Sequence, residues 1–273
     1  KHAKAGQTTL NFDAFYGVQT VPQKGRPNVM NAEEFAQYEQ DVFNEKIRLG
    51  QATSIPVEYQ NPSQYAGKGT NWYNVLLRNA PIQSYNLSLS SGTDKLSTNV
   101  TLGVLNQDGV LIATNYKRYS VRANTSYKFN DKITVGLNVA PTYEIAHGTN
   151  TDGNIFGGGI IQNAITTSPI APYKNADGTL TLTTTAPGLF GNPNWYRVAT
   201  ETQNITNKGR LLSTLYGYLE LIKDLNFRSS LSIDYVNEQN RQWYPSTTGG
   251  LFNPPPITAN ASQASNIYYS WLA

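Results

Sequence analysis

The chain has 273 residues, no cysteine and only 14% charged residues, which leave a formal net charge of +3 at pH 7. The absence of cysteine excludes disulfides and thiolate chemistry, and lysine and arginine are too scattered to indicate nucleic-acid binding. No apolar run reaches the roughly 18 residues that a membrane-spanning helix requires, whereas 18 tyrosines and 22 glycines are compatible with long β-strands and polar loops.

The N-terminal third of the chain predicts one strand and one helix. Apolar and polar side chains alternate over residues 8–19, as in a strand. A long excursion over 20–81 follows, and within it Asn31 to Leu49 has the pattern of a helix. Asn31 is a suitable N-cap, and Glu34 stands three residues later as in a capping box. A second, short helical turn is predicted at 71–78.

The clearest pair of strands lies between Tyr116 and Tyr143 and is joined by a tight turn at Asn130-Asp131. Side chains in it alternate strictly, which indicates a sheet with one apolar and one polar face. In a soluble sandwich the apolar face meets another sheet; in an outer-membrane barrel it meets lipid. Tyr119 and Phe129 lie on the same face, ten residues apart, and a tilted strand of that length projects to about 26 Å. Membrane barrels place an apolar band of about 25 Å between two aromatic girdles, so this spacing favours a barrel.

The remaining strands show a regular alternation of connection lengths. Further strands are predicted at 83–90, 95–105, 210–222 and 225–241, an eighth begins at 267–271, and a short helix is predicted at 155–166. Tight turns at 91–94, 129–132 and 223–224 alternate with longer connections at 20–81, 106–115, 147–207 and 243–264. Outer-membrane barrels have short periplasmic turns and longer extracellular loops. We therefore expect an all-β, antiparallel transmembrane barrel, of which about eight strands are present, with the long loops outside the cell.

Three stretches resemble the SusC/RagA-like family of TonB-dependent outer-membrane transporters of Bacteroidetes. Gly69–Gly92 is similar to that family's G-x-x-W…R-x-A-P-x-x-x-Y-N-L-S-x-S-x-G segment, and Val100–Phe129 is similar to its strand, D-G loop and Y-K-R-Y-S-x-R-x-N sequence. Phe12–Gly17, followed by the helix start at Asn31–Ala36, resembles its first barrel strand and the next helix. Together the three stretches cover most of residues 8–145.

The resemblance implies a plug domain inside a barrel of roughly 22 strands. Residues 1–273 would then be the N-terminal part of the barrel domain of a longer polypeptide, without the plug and the rest of the barrel. It also implies a nutrient importer in the outer membrane, in contact with lipid, which takes up glycan oligomers or peptides. Its partners would be a SusD-like surface lipoprotein and, through the plug, TonB. The alternatives are a self-contained eight-stranded barrel and a soluble, secreted β-sandwich that binds carbohydrate.

The sequence offers candidate residues for contact with substrate or partner, and for the barrel interior. Aromatic side chains in the predicted external loops can stack on sugars, contact a partner lid or pack the loops: Trp72, Trp195, Tyr196, Trp243 and Tyr244. Polar side chains on the strands are expected to face the lumen: Arg122, Asn124, Lys128, Arg228 and Asp234.

An enzyme or a metal site is not expected. Asp234, Glu238 and Glu220 would suit a carboxylate pair, but charges in a hydrated barrel interior explain them more simply. His2 and His147 are isolated, and Thr149–Asn154 departs from the calcium-loop pattern. We expect no cofactor.

Overall fold

The computed structural model describes residues 6–149, 151, 159–223, 225–250 and 253–272. In chain order the elements are β1 Thr8–Gln19, α1 Ala32–Arg48, α2 Val57–Gln60, α3 Trp72–Val75, β2 Ala80–Gly92, β3 Leu96–Asp108, β4 Asn115–Lys128, β5 Ile133–His147, α4 Ile160–Thr166, β6 Thr183–Thr184, β7 Asn192–Pro193, α5 Trp195–Glu201, β8 Gln203–Ile222, β9 Leu225–Tyr244 and β10 Asn260–Leu272, with 3₁₀ turns at Gln23–Gly25 and Pro62–Tyr65. All of these helices lie in the long connections between strands.

Eight of the strands form one antiparallel sheet in the order β1-β2-β3-β4-β5-β8-β9-β10. Because neighbouring antiparallel strands run in opposite directions, successive connections lie at opposite ends of the sheet. The short connections from β2 to β3, from β4 to β5 and from β8 to β9 lie at one end, which we call the turn end. The connections 20–79, 109–114, 148–202 and 245–259 lie at the other, the loop end. The predicted antiparallel fold, with helices confined to long loops on one side, is confirmed.

The sheet has two chemically distinct faces. Residues directly opposite each other on neighbouring strands share a face. One such row crosses all eight strands and is apolar except for one serine: Leu10, Leu89, Val100, Ala123, Val139, Ser213, Ile233 and Trp271. The adjacent row, one residue along each strand, points to the opposite face. It is polar on seven strands: Thr9, Ser90, Asn99, Asn124, Asn138, Thr214 and Ser232. We call the two sides the apolar face and the polar face.

Charged side chains follow the same division. In the described strands the apolar face carries Asp108, Lys117 and Arg241, each within four residues of a loop-end strand terminus. The polar face carries charges along its length: Asp13, Arg118, Arg122, Lys128, Glu144, Lys208, Arg210, Glu220, Arg228, Asp234 and Glu238. The middle of the apolar face is therefore free of charge, as a surface that meets hydrocarbon must be.

Neither face of the sheet is covered by a second sheet. Among the described residues the only other sheet is the two-stranded pair β6–β7. Val121 and Leu137, in the middle of the apolar face, are 38% and 43% exposed. A β-sandwich would bury such residues between its sheets; the described residues provide no second sheet that buries them.

The structure extends several predicted elements. β8 begins at Gln203, and β10 begins at Asn260 rather than near residue 267. Strand β9 continues to Tyr244, so that Trp243 and Tyr244 belong to a strand rather than to a loop. These strand ends contain few aliphatic side chains and so show no clear alternation of apolar and polar residues. Pairing with the neighbouring strand decides their conformation.

Two helices also differ from the prediction. The predicted helix at 155–166 is α4 from Ile160 onward, and 155–158 lie outside the described residues. Helix α5 was not expected, because its seven residues are too few to show a helical period.

Candidate functional site

The buried core of the protein lies in the loops and not in the sheet. Of the buried hydrophobic side chains described, only Ala80, at the first position of β2, belongs to a strand of the large sheet. The largest cluster joins three loops at the loop end: Trp72, Leu76, Leu111, Ile160, Ala164, Trp195 and Ala199. We call this cluster the loop core. Around it the connections 20–79, 109–114 and 148–202 form a packed layer at the loop end, which we call the loop platform.

The two tryptophans of the loop core are fixed by hydrogen bonds as well as by packing. The Trp72 indole Nε1–H donates to the Ser168 carbonyl oxygen over 3.1 Å. The Trp195 Nε1–H donates to the Thr167 hydroxyl over 3.0 Å. Buried indole N–H groups need such partners, so both rings are oriented by the segment that follows α4.

Asparagine caps explain why these loops form helices. Asn31 accepts from the Glu34 backbone N–H over 2.9 Å while the Glu34 carboxylate accepts from the Asn31 N–H, which completes the predicted capping box. Asn71 caps α3 by accepting a single hydrogen bond from the Asn74 backbone N–H over 2.9 Å. Asn194 caps α5, and its amide also donates to the Tyr173 and Thr181 carbonyl oxygens. Asn194 thus ties the helix to the preceding loop.

Direct contacts join the connection 20–79 to the connection 148–202. Tyr59 is fully buried, and its hydroxyl donates to the Pro187 carbonyl oxygen over 2.9 Å. Gly69 has φ +104, and a Cβ there would lie 2.4 Å from the Ala32 Cβ and 2.9 Å from the Pro169 carbonyl oxygen. Only glycine allows this approach.

Arg78 holds the short connection between β3 and β4. Its guanidinium donates to the carbonyl oxygens of Gly109, over 3.0 Å, and Thr114, over 2.7 Å, and lies 3.5 Å from the Asp108 carboxylate. Trp72 and Arg78 both belong to the Gly69–Gly92 stretch on which the family resemblance rests. In this structure both residues support the loop platform.

The five aromatic candidates occupy different surroundings. Trp72 and Trp195 are 2% and 1% exposed, so their burial supports loop packing, one of the roles the sequence leaves open. Tyr196 is half-buried, with its ring 5.3 Å from that of Tyr173. Trp243 lies on the apolar face and is 40% exposed, whereas Tyr244 is half-buried on the polar face. Contact of any of them with substrate or partner stays a prediction.

The five residues expected to face a lumen all lie on the polar face. Asp234 accepts two hydrogen bonds from the Arg210 guanidinium, over 2.9 and 2.6 Å, and Arg210 was not foreseen as its partner. The Arg228 guanidinium lies 5.6 and 5.4 Å from the ring centroids of Tyr216 and Tyr218. Lys128 pairs with Asp131 of the adjacent turn over 2.8 Å.

Asp234 and Glu238, the pair considered for acid–base chemistry, are each paired with a cation instead. Asp234 has Arg210, and the Glu238 carboxylate lies 3.7 Å from the Lys208 ammonium. Glu238, Lys208, Glu144 and Arg118 lie in one cross-strand row of alternating sign. Opposite charges placed in this way stabilise strand pairing, and this is the role that their geometry supports.

A cavity of about 660 Å³ lies on the polar face at the loop end. Its walls come from the ends of β8 and β9, from α5, and from the connection after β9, including Asn204, Gln242, Tyr244, Trp195 and Ile257. Sequence reasoning missed it, because the elements that enclose it are distant in the chain.

The described residues contain no group of three or more His, Cys, Asp or Glu side chains suited to a metal ion. His2 and most of the 149–154 stretch lie outside the described residues. None of the described helices is long and apolar enough to cross a bilayer.

The chain is similar in sequence to TonB-dependent receptors. It is 26% identical over 250 residues to TonB-dependent receptor P3 of Formosa agariphila, a match that covers 90% of this chain and 23% of that protein. It is 22% identical over 177 residues to TonB-dependent receptor SusC of Bacteroides thetaiotaomicron, which covers 62% of this chain and 16% of SusC. The chain thus spans about a quarter or less of these curated relatives. No protein-family model matches it.

Solved structures of the RagAB peptide importer share the fold. In the open-open state the TM-score is 0.75 at 16% identity, over 99% of this chain and 32% of that chain; in the closed-closed state it is 0.73. Relatives and structural neighbours are named receptors and importers, not enzymes, which supports a non-enzymatic role. They also confirm the outer-membrane location of Bacteroidetes type that the sequence predicts. By sequence and by fold the chain is a relative of the SusC/RagA-like TonB-dependent receptors, which confirms the resemblance of its three motifs.

Proposed function

We propose that this chain is the N-terminal part of the barrel wall of a TonB-dependent importer, which takes up glycan oligomers or peptides. The observation that carries the proposal is the pair of adjacent rows across the sheet, one apolar on seven of its eight strands and the other polar on seven. A wall between lipid and an aqueous interior requires this division. The resemblance and the relatives support the same role.

In this proposal the polar face lines the lumen. Arg122, Asn124, Lys128, Arg228 and Asp234 then face the interior, where water solvates them. That face carries similar numbers of acidic and basic side chains, and several of them form ion pairs. This supports a hydrated interior. The chemistry of transport needs no catalytic residue in this chain: energy would come through TonB acting on a plug outside it.

We further propose that the loop platform receives a SusD-like surface lipoprotein. The platform is packed around Trp72 and Trp195 and locked between connections by Tyr59, so it offers a preformed surface. Preformed surfaces bind without the entropic cost of ordering loops. The exposed Phe190, at 72%, and Val57, at 71%, supply apolar area on that surface.

The test uses the full-length protein that carries this chain, produced in its bacterium with and without TonB. We expect it to fractionate with the outer membrane, to co-purify with a SusD-like lipoprotein, and to support nutrient uptake only when TonB is present. A protein that folds and stays monomeric in aqueous buffer without detergent or lipid would contradict the proposal.

A further inference from the structure

The apolar face of the sheet becomes polar at the loop end. Tyr119 and Tyr143, which are 45% and 47% exposed, face each other across β4 and β5 where the change begins. Residues two and four positions further toward the loop end lie on the same face, because side chains alternate along a strand. They form two cross-strand rows from β3 to β10, each polar except for one isoleucine: Asn106, Lys117, Ile145, Asn207, Gln239 and Ser265 in the first, and Asp108, Asn115, His147, Ile205, Arg241 and Gln263 in the second. We call these two rows the polar band.

The polar band carries positive charge on the outer surface of the sheet. Lys117 belongs to its first row, and Arg241, whose side chain is exposed, belongs to its second. Asp108 is the acidic residue of the band, and its carboxylate is already engaged. It lies 3.5 Å from the Arg78 guanidinium and accepts from the Asn115 amide over 2.7 Å. Lys117 and Arg241 therefore attract anions to the face that is proposed to meet lipid.

Arg241 stands in a groove of about 390 Å³ that runs over β8, β9 and β10. Ile205 and Gln263 flank it on the two neighbouring strands. Trp243 follows Arg241 on the same face of β9, is 40% exposed, and pairs with Gln203 of β8. The groove thus combines a guanidinium, two amides and an indole ring, all on the outer surface of the sheet.

This set of side chains suits the headgroup of an anionic phospholipid. A guanidinium can donate two parallel hydrogen bonds to a phosphate, and it is the side chain best matched to that group. The amides of Gln203 and Gln263 can donate to the ester or hydroxyl oxygens of the headgroup. Indole rings favour the boundary between headgroups and hydrocarbon, so Trp243 is suited to the start of the acyl chains.

We propose that the polar band, through the groove around Arg241, binds the phosphate headgroup of an anionic phospholipid in the leaflet at the loop end. The inference rests on the proposed barrel wall, because it requires the apolar face to meet lipid. It extends that proposal from contact with hydrocarbon to selection of one class of lipid. Within the described strands the charges of the apolar face lie at the loop end, so the selection applies to one leaflet.

Trp243 provides a local probe for the test. The full-length protein is reconstituted in vesicles of phosphatidylcholine that contain about one fifth phosphatidylglycerol. In one preparation the phosphatidylglycerol carries bromine on its acyl chains, and in the other an equal amount of phosphatidylcholine does. Bromine quenches tryptophan emission at short range, and subtracting the emission of the matching Trp243→Phe protein isolates the signal of Trp243. The ratio of the two quenching efficiencies measures the enrichment of phosphatidylglycerol beside Trp243.

We expect an enrichment of about fivefold in the wild type, as for one basic side chain near anionic lipid. Arg241→Gln should bring the ratio close to one. The matched control is Arg122→Gln, which removes the same charge from the polar face and should leave the ratio at its wild-type value. High salt should lower the ratio in the wild type without any substitution, because it screens exposed charges.

Equal quenching by the two brominated lipids in the wild type would overturn the inference, and so would equal losses of enrichment in Arg241→Gln and Arg122→Gln. An inserted protein in which neither lipid quenches Trp243 would also overturn it, since a protein surface, such as a second copy of the chain, would then cover the groove. Membrane insertion and TonB-dependent uptake are measured in parallel. A protein that inserts and imports without enrichment refutes the headgroup site and leaves the transport function standing, whereas a protein that neither inserts nor imports refutes the transport function itself.

Discussion

The same substitution should destabilise the protein strongly at one residue of β5 and hardly at all at the next. Leu137 lies on the apolar face and is 43% exposed. It pairs with Thr125 of β4, which lies between Tyr119 in the same strand and Phe129 in the turn that follows it. Asn138, the next residue, lies on the polar face. If the apolar face meets lipid, Leu137→Arg places a charge near the bilayer midplane, whereas Asn138→Arg places it in water.

The expected difference is large enough to measure. An arginine on the lipid face near the midplane destabilises a barrel by about 2–4 kcal/mol, whereas a solvated substitution changes the free energy of unfolding by about 0.5 kcal/mol or less. A difference of about 3 kcal/mol corresponds to roughly a 100-fold change in the folding equilibrium. The assay is urea-induced unfolding of the full-length protein in phospholipid vesicles, followed by tryptophan fluorescence. Equal effects of the two substitutions, or a larger effect of Asn138→Arg, would refute the assignment of the faces.

Three further substitutions test the loop platform. Asn31→Ala should destabilise α1 by about 1 kcal/mol, because it removes the cap, and amide hydrogen exchange of α1 measures it; unchanged protection would show that the cap is unimportant. Trp195→Ala should destabilise the platform by about 3–5 kcal/mol and make the loops protease-sensitive while the sheet stays folded. Trp195→Phe, which loses mainly the hydrogen bond to Thr167, should destabilise it by about 1 kcal/mol. Equal effects of the two substitutions would contradict a packing role for the ring. Burial raises the pKa of Glu39, with Lys46 partly opposing the shift, so this carboxyl favours the folded platform at low pH and that contribution is lost as pH rises through the raised pKa. Glu39→Gln should therefore increase the hydrogen-exchange protection of α1 at pH 7 and not at pH 4. A substitution that changes the protection of α1 equally at both pH values would contradict this.

The sheet could be predicted from the sequence because the alternation of apolar and polar side chains is a local pattern within each strand. Strict alternation along β4 and β5 assigned Val121 and Arg122 to opposite faces, and the register bears out that division. Helix α1 was predictable for the same reason, since its cap, Asn31, and its first turn are adjacent in the chain.

The loop platform and the cavity were not predictable because they depend on distant contacts. Trp72 and Trp195 share one core although 123 positions separate them. Arg210 reaches Asp234 only because β8 and β9 pair in one particular register. The cap at Asn194 could have drawn attention to α5, but Pro193 and Trp195 around it gave no helical period. The cavity exists only once α5 and the connection after β9 have folded over the sheet.

The central claim is that one face of the sheet meets lipid and the other meets water. This chain contains no cysteine, so a single cysteine introduced at each position from 119 to 127 in turn gives one spin-labelling site in this region. The labelled full-length protein is measured in lipid vesicles. We predict a period of two: oxygen, which partitions into lipid, relaxes labels at the odd positions, and a water-soluble nickel complex relaxes those at the even positions. Equal access of the nickel complex to both sets of positions would contradict the account.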